Sequence, residues 1–419
     1  MTSLPLLSEN NYLYDREDHA AAHTGDYVFS QLIPYIGNKR KLLGLIQKAL
    51  HKVGVGADAT FLDVFAGSGV VSRMAKRMGF RVITNDWEPY SFEINKCSVQ
   101  CNDAPAFRHL GGYANALDRL NALPPVEDWI TKHLCPSDDD NYDVLTDRLF
   151  YTRSNGMMMD AMRLEVAQWE EADLISPLEK SCLLAPMLYQ ACYTSNTSGV
   201  FKGFHNGWGG QTGTALYRIL SDFHLKPMVF HDNGKNNLVF KIDSADLAQT
   251  LENCQVRADV AYLDPPYNQH PYGSNYHVLN TITLWDRPAL SERIEGRNKA
   301  AIREDWRTQR RSAYNHRREA TAAYVSLMHS LEARYLLTSY STDGMVPPTE
   351  LVETCVSRGQ TNFVLQSYKR YRVSSQRFSH KPMNVEFILI VDTSKKHEGS
   401  SARQICDRIV QAEQQAPTR

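Results

Sequence analysis

The sequence carries no Cys-x-x-Cys pair and none of the cysteine-to-histidine spacings that hold zinc, so no metal site is expected. Its 8 cysteines lie scattered between Cys97 and Cys406, a distribution that fits reduced core thiols in a cytoplasmic protein. Apolar runs of transmembrane length and a charged-then-apolar leader are both missing, and a soluble intracellular protein is expected. An excess of positive charge is missing too: 46 Lys and Arg stand against 47 Asp and Glu, for a formal net charge of −1. A nucleic-acid binder of this composition has to gather its basic residues locally. There is no internal repeat and no long low-complexity linker. What is present is ordinary globular composition, 42% hydrophobic and 22% charged. The 419 residues suffice for about two to three domains, or for one large domain with an insertion.

The most informative stretch is Val260-Ala261-Tyr262-Leu263-Asp264-Pro265-Pro266-Tyr267-Asn268. An apolar run of strand formers stops at a carboxylate, two prolines and a ring, which predicts a buried strand ending in a rigid loop. Open α/β folds place their chemistry at such ends. The two prolines have fixed φ angles and no donors, so Asp264 and the neighbouring carbonyls form a stiff row of acceptors beside the flat face of Tyr267. That arrangement suits a planar group with an exocyclic amine. A plain strand-to-loop turn with a proline stop accounts for the same residues without function.

Upstream, Thr60 to Asp63 predicts a short strand, Gly67-Ser68-Gly69 a turn, and Val70 to Met78 a helix. Arg81 to Asn85 predicts the next strand, with Asp86 at its end. The third glycine of a dinucleotide fingerprint is missing, and Asp63 is a poor neighbour for phosphates. Asp63 suits a cationic amino group, and Asp86 suits vicinal ribose hydroxyls. S-adenosylmethionine carries both. Asp243 closes a further strand over Asn237 to Ile242.

Tyr35-Ile36-Gly37-Asn38-Lys39-Arg40-Lys41 reads as a basic loop feeding an amphipathic helix. Gly37 permits close approach to a ligand, Tyr35 offers a ring, and Lys39 to Lys41 put positive charge where the helix dipole disfavours it. An anionic partner and a solvated basic turn fit equally. From about Pro89 to Leu225 the pattern is mainly helical, with candidate helices at 90–102, 115–122, 155–171, 177–194 and 214–223. This reads as an insertion between the second and third strands, in which Met157 to Met159 serve as core filler. The loop from Asn196 to Gly210, with Lys202 and His205, suits either nucleic-acid backbone or a glycine-rich surface hairpin. After Tyr267, Tyr272, Tyr276 and Trp285 add an aromatic and polar surface. Arg303, Arg307, Arg310, Arg311, Arg317 and Arg318 then alternate with Trp306 and Tyr314, a composition suited to tracking phosphates or to a solvated helix face. Further strands are expected over Arg334 to Tyr340, Phe363 to Tyr371 and Val385 to Val391.

Taken in order, the basic Gly-Asn-Lys loop, Asp-x-Phe-x-Gly-x-Gly, the long insertion and Asp-Pro-Pro-Tyr resemble the Dam-like, alpha-group DNA adenine-N6 methyltransferases, restriction-modification type. The resemblance spans about Leu32 to Val391 and is patchy in the insertion. It implies an α/β, Rossmann-like S-adenosylmethionine-dependent methyltransferase sheet of seven strands, the last one antiparallel, with an inserted, mainly helical target-recognition region. The implied domains are an arm at 1–30, catalytic residues 31–100 and 226–395, recognition residues 101–225, and a tail at 396–419. It implies cofactor contacts from Tyr35, Gly37, Lys39, Asp63, Phe65, Gly67, Gly69, Asp86 and Asp243, and catalysis by Asp264, Pro265, Pro266 and Tyr267. DNA contacts are expected from Asn196, Lys202, His205, Tyr276, Arg310, Arg311 and Tyr314. The implied partners are double-stranded DNA and a cognate restriction endonuclease acting on the same site, with the enzyme a monomer or weak dimer. Cytosine N4, RNA adenine and a protein glutamine amide are rival substrates. A catalytically silent DNA-binding protein on the same scaffold and a nicotinamide dehydrogenase are rivals of other classes.

Overall fold

A computed structural model describes residues 26–290, 294–296, 299–369 and 383–415. Most of the expected arm and the last residues of the expected tail lie outside this range, as does the end of the strand expected to run to Tyr371. Seven strands form one sheet: β1 (Thr60–Asp63), β2 (Arg81–Asn85), β3 (Leu238–Phe240), β4 (Ala258–Leu263), β5 (Ala333–Ser341), β6 (Gln360–Lys369) and β7 (Met383–Asp392). Their spatial order is β3-β2-β1-β4-β5-β7-β6. The strands from β3 to β5 are parallel, and β7 runs antiparallel to both β5 and β6. This is the expected sheet with its reversed last strand.

The apolar strands are buried on both faces, as parallel strands must be. Successive residues of β1 and β4 serve opposite layers. Phe61, Val260 and Tyr262 pack with Leu43, Ile46, Val70 and Met74 from helices Leu43–Val53 and Val70–Arg77. Leu62, Ala261 and Leu263 pack with Leu251, Tyr324, Leu327 and Leu351 from the helices after β3, before β5 and after β5. Helix Ala402–Gln415, within the expected tail, packs here too, through buried Ile405 and Ile409.

The insertion between β2 and β3 builds a further core on helices Arg153–Glu171 and Pro177–Tyr193, which it shares with Ile33 and with Tyr276, Val278, Leu279 and Ile282 from the segment after β4. Two of its elements differ from the sequence expectation. The helix expected over 214–223 is only Leu216–Ile219. Asn155 donates to the carbonyls of Ile219 and Ser221 and accepts from the Phe223 N–H, so the chain is drawn onto a neighbouring helix instead of continuing its own. Helix Trp129–Leu134 was not expected at all. Its entry is organised from a distance: the Asp160 carboxylate accepts from the N–H groups of Asp128, Ile130 and Thr131 at 3.0, 2.8 and 2.8 Å.

Candidate active site

The four strands β3, β2, β1 and β4 lie side by side and parallel, so their carboxyl ends share one edge of the sheet. β1 ends at Asp63, β2 and β4 end immediately before Asp86 and Asp264, and β3 ends at Phe240, short of the expected Ile242, with Asp243 in the loop that follows. A cavity of about 250 Å³ opens along this edge. Its walls include Tyr35, Gly37, Phe65, Asp86, Asp243, Asp264, Pro265, Pro266 and Tyr267. Five of the residues expected for the methyl donor, Tyr35, Gly37, Phe65, Asp86 and Asp243, therefore meet those expected for catalysis in one space, while Lys39, Asp63, Gly67 and Gly69 lie outside its lining.

The glycine turn is shaped by what presses on it. Gly67 has φ +51°, and a Cβ there would stand 2.7 Å from the Tyr35 ring. Gly69 has φ +78°, and a Cβ there would stand 2.3 Å from Asn95 Oδ1. Neither position tolerates a side chain. Asp86 Oδ2 accepts from the Gly67 N–H at 2.8 Å and Oδ1 from the Glu88 N–H at 2.9 Å, which locks the ends of β1 and β2 together. Asn85, which no sequence motif marks, braces the two neighbouring loops. It donates to the Val64 and Ile242 carbonyls and accepts from the Ile242 N–H.

Burial pushes Asp63 up to about 7, against a bond from Ser72 Oγ to Oδ2 at 2.6 Å. Its Oδ1 is buried without a hydrogen-bond partner. Burial also raises Asp86 above the usual carboxylate value. Phe65 meets Tyr314 edge to face, with centroids 5.3 Å apart.

The Asp264 loop is held on several sides. The Tyr267 carbonyl accepts from the Met345 N–H, its ring meets Tyr340 edge-on, and the Asn268 carbonyl accepts from Asn315 Nδ2. Lys39, expected among the cofactor contacts, lies against Asp264 instead. Its Nζ is 3.0 Å from Asp264 Oδ1, 3.6 Å from Glu386 Oε2 and 5.4 Å from the Tyr267 ring centroid. Burial works against the ammonium, but Asp264 and then Glu386 outweigh it and hold its pKa well above the usual lysine value. Burial pushes Asp264 up to about 6, with Lys39 pulling the other way.

Several expected DNA contacts are placed elsewhere. Asn196 is fully buried and closes its own loop, donating to the Leu149 and His205 carbonyls and accepting from the Gly209 N–H. Tyr276 is buried in a stack of three rings with Tyr35 and Tyr272, its hydroxyl accepting from the Ile36 N–H. Tyr314 is buried beside Phe65. Arg310 is clamped between Glu88 and Asp305, so its charge is neutralised within the protein. The reason is common to all four: polar tips and charged heads found partners inside, where an unpaired group is costly. Lys202 remains exposed, His205 is half-buried, and Arg311 forms a surface pair with Glu319 beside the cavity.

The family description D12 class N6 adenine-specific DNA methyltransferase matches residues 35–337. The chain belongs to this family. Among relatives, the type II methyltransferase M.NlaIII of Neisseria lactamica is 28% identical over 351 residues, covering 83% of this chain and 95% of that protein. The modification methylase LlaI of Lactococcus lactis subsp. lactis is 27% identical over 367 residues, covering 85% of this chain and 54% of that protein. The type II methyltransferase M.FokI of Planomicrobium okeanokoites is 28% identical over 348 residues, covering 83% of this chain and 50% of that protein. The chain thus spans about half the length of the last two. As a D12 methyltransferase it acts on adenine in DNA and uses S-adenosylmethionine.

The residues of the cavity, and Asp63 buried next to its wall residue Val64, fit that donor. The unpartnered, buried Asp63 Oδ1 suits a cationic amino group, the acceptors of Asp86 suit hydroxyls, and the Phe65 and Tyr314 rings offer apolar surface to a planar base. Among the described residues no group of histidine, cysteine or acidic side chains is arranged to hold a metal ion. No described helix is long and apolar enough to cross a membrane.

Proposed function

We propose that this D12 methyltransferase is the modification enzyme of a restriction-modification system, methylating N6 of an adenine flipped out of duplex DNA at a defined sequence. The observation that carries the reading is the opening of Asp264-Pro265-Pro266-Tyr267 onto the cavity that also takes in Tyr35, Asp86 and Asp243. The relatives described above, a type II methyltransferase and a modification methylase, support the system. Double-stranded DNA and a cognate restriction endonuclease acting on the same site are its partners in this reading, with the enzyme a cytoplasmic monomer or weak dimer. Residues 101–225 supply target recognition.

In this reading Asp63, Asp86 and Asp243 seat the donor, Phe65 packs against it, and Tyr35 with Gly37 closes the wall beside it. S-adenosylmethionine, when bound, supplies an electrophilic methyl group. Asp264 and the Pro265 carbonyl accept the two amino hydrogens of adenine, which draws the N6 lone pair out of conjugation and stabilises the positive charge that grows there. The proton shed by N6 leaves along its bond to Asp264. Pro266 stiffens the loop, and Tyr267 stacks on the extruded base, whose removal from the duplex costs about a few kcal/mol. The remaining contribution is alignment. Lys202, His205 and Arg311 face the DNA.

Expression in a methylation-free host followed by native DNA sequencing tests the proposal. The expected result is N6-methyladenine at one recurrent sequence, strongly reduced with Asp264→Ala. Methyl groups on cytosine, or none with intact donor binding, overturn it.

A further inference from the structure

The short helix Leu216–Ile219 buries one apolar side chain and exposes the others. Ile219 is fully buried, whereas Leu216, Tyr217 and Leu220 are 37%, 54% and 54% exposed. Single exposed apolar residues are ordinary, but three on one turn form a patch. The turn itself is held firmly. Asn155 donates to the carbonyls of Ile219 and Ser221, Gln190 Nε2 to that of Asp222 at 3.2 Å, and Arg218 Nη1 to that of Tyr193 at 2.8 Å. The backbone is thus tied to helices Arg153–Glu171 and Pro177–Tyr193 while three apolar side chains stand in solvent.

From this patch a strip of rings and guanidinium groups leads to the mouth of the cavity. The Arg218 guanidinium lies 5.6 Å from the Tyr193 ring centroid, and the Tyr193 ring stacks on Tyr189 with centroids 6.1 Å apart. Burial raises the pKa of Tyr193 and Tyr217 raises it further, which places Tyr217 beside it. Burial and Tyr193 raise that of Tyr189, while Arg218 and Arg40 pull it down, so two cations stand near one ring. Arg40 is exposed, over the Phe29 ring, three residues past the cavity wall residue Gly37. On the other side of Gly37, Ile36 is 37% exposed and its carbonyl accepts from Tyr272 Oη of the cavity wall at 3.0 Å. Unlike Arg310, neither Arg40 nor Arg218 forms an ion pair with a described residue.

We propose that this strip, from Ile36 and Arg40 past Tyr189 and Tyr193 to Tyr217 and Leu220, receives the DNA beside the flipped adenine, and that Tyr217 and Leu220 contact its bases and set the target sequence. The inference rests on the reading above, in which the cavity takes an adenine from duplex DNA. Continuity with the cavity mouth and unneutralised positive charge both favour a polyanion that also presents apolar base surface. A second copy of the chain fits less well, because a two-fold pairing of this surface would set its cations against their own copies. Arg40 supplies charge to the phosphates. Arg218 is a positioning residue, since its guanidinium is committed to Tyr193 and fixes the turn that carries Tyr217 and Leu220.

The experiment first fixes the recognised sequence by native DNA sequencing of a methylation-free host expressing the full chain. It then measures kcat/KM on a duplex carrying that sequence and on duplexes with each single base pair changed. In Tyr217→Ser/Leu220→Ser, kcat/KM on the recognised duplex is expected to fall by about tenfold or more while the changed duplexes lose much less, so that discrimination collapses. The Kd for S-adenosylmethionine should stay within about twofold, because neither residue lines the cavity. A wild-type discrimination ratio in the double variant, or an equal loss on every duplex, overturns the proposal. A wild-type ratio in Leu220→Arg, together with conversion of a dimer to a monomer in sedimentation, overturns it in favour of a second copy as occupant. If the double variant does not fold, Tyr217→Ala and Leu220→Ala measured singly give the same decision. The two levels separate in the wild type: DNA without N6-methyladenine overturns the reading of the reaction, whereas site-specific methylation beside an unchanged ratio in the double variant overturns the role of the strip alone.

Discussion

Arg310 closes on Glu88, with Nη1 3.3 Å from Glu88 Oε2, while its Nη2 reaches Asp305 at 2.5 Å. Glu88 is 3% exposed, and its carboxylate also accepts from Asn280 Nδ2 at 2.6 Å. The segment that looks in sequence like a basic DNA track is thus fastened to the residues just past β2. Arg310→Met leaves a buried carboxylate without its charge partner, so urea unfolding should show a loss of about 3–5 kcal/mol. The salt dependence of DNA binding should stay as it is. Adding Glu88→Gln should recover part of the lost stability.

Lys202 offers the contrast. It is exposed on the glycine-rich loop, which a bond from the Phe201 N–H to the Asn275 carbonyl pins near the site. Lys202→Ala should weaken DNA binding of all sequences alike and reduce the log–log salt slope by about 1. Donor affinity measured by calorimetry should not change.

Asp264→Ala removes the acceptor of the amino hydrogens, and a loss of about 10²–10³ in kcat is expected with donor Kd unchanged. The same group sets an acid limb in the pH profile. Burial places its pKa at about 6, and the protonated form has lost the acceptor, so the single-turnover rate should fall about tenfold per pH unit below that value. A rate that stays flat down to pH 5 would remove Asp264 from this role.

Donor binding should be linked to protons through Asp63. Burial holds its folded pKa at about 7, above the ordinary 3.8, so the free protein loses this group's contribution to stability as pH rises through that window. A cationic amino group favours the ionised carboxylate. Affinity for S-adenosylmethionine should therefore increase as pH rises towards 7 and level off above it, and binding below pH 7 should release a proton. Calorimetry in two buffers of different ionisation enthalpy measures that proton, and Asp63→Asn should abolish its release.

Much of this architecture was legible in the order of residues. The β1 turn, the acids after β2 and β3, and Asp264-Pro265-Pro266-Tyr267 could be located because strand periodicity, glycine and proline act locally. Parallel pairing then sets their positions, since strands running the same way bring their carboxyl ends to one edge. Helix Trp129–Leu134 was not legible because Asp160, which binds its entry, belongs to another helix. Asn196, Tyr276 and Tyr314 have the composition of a DNA surface, yet each meets its polar partner or ring stack inside the fold.

The sequence by itself determined which elements form, in what order, and which carboxylates end the strands, because backbone preference and apolar spacing are properties of short stretches. Only the tertiary structure decided which charges meet. Lys39 and Glu386 lie near opposite ends of the chain, and Arg310 and Glu88 on separate segments; burial in a low-dielectric interior selects such partners, and no local pattern records the choice.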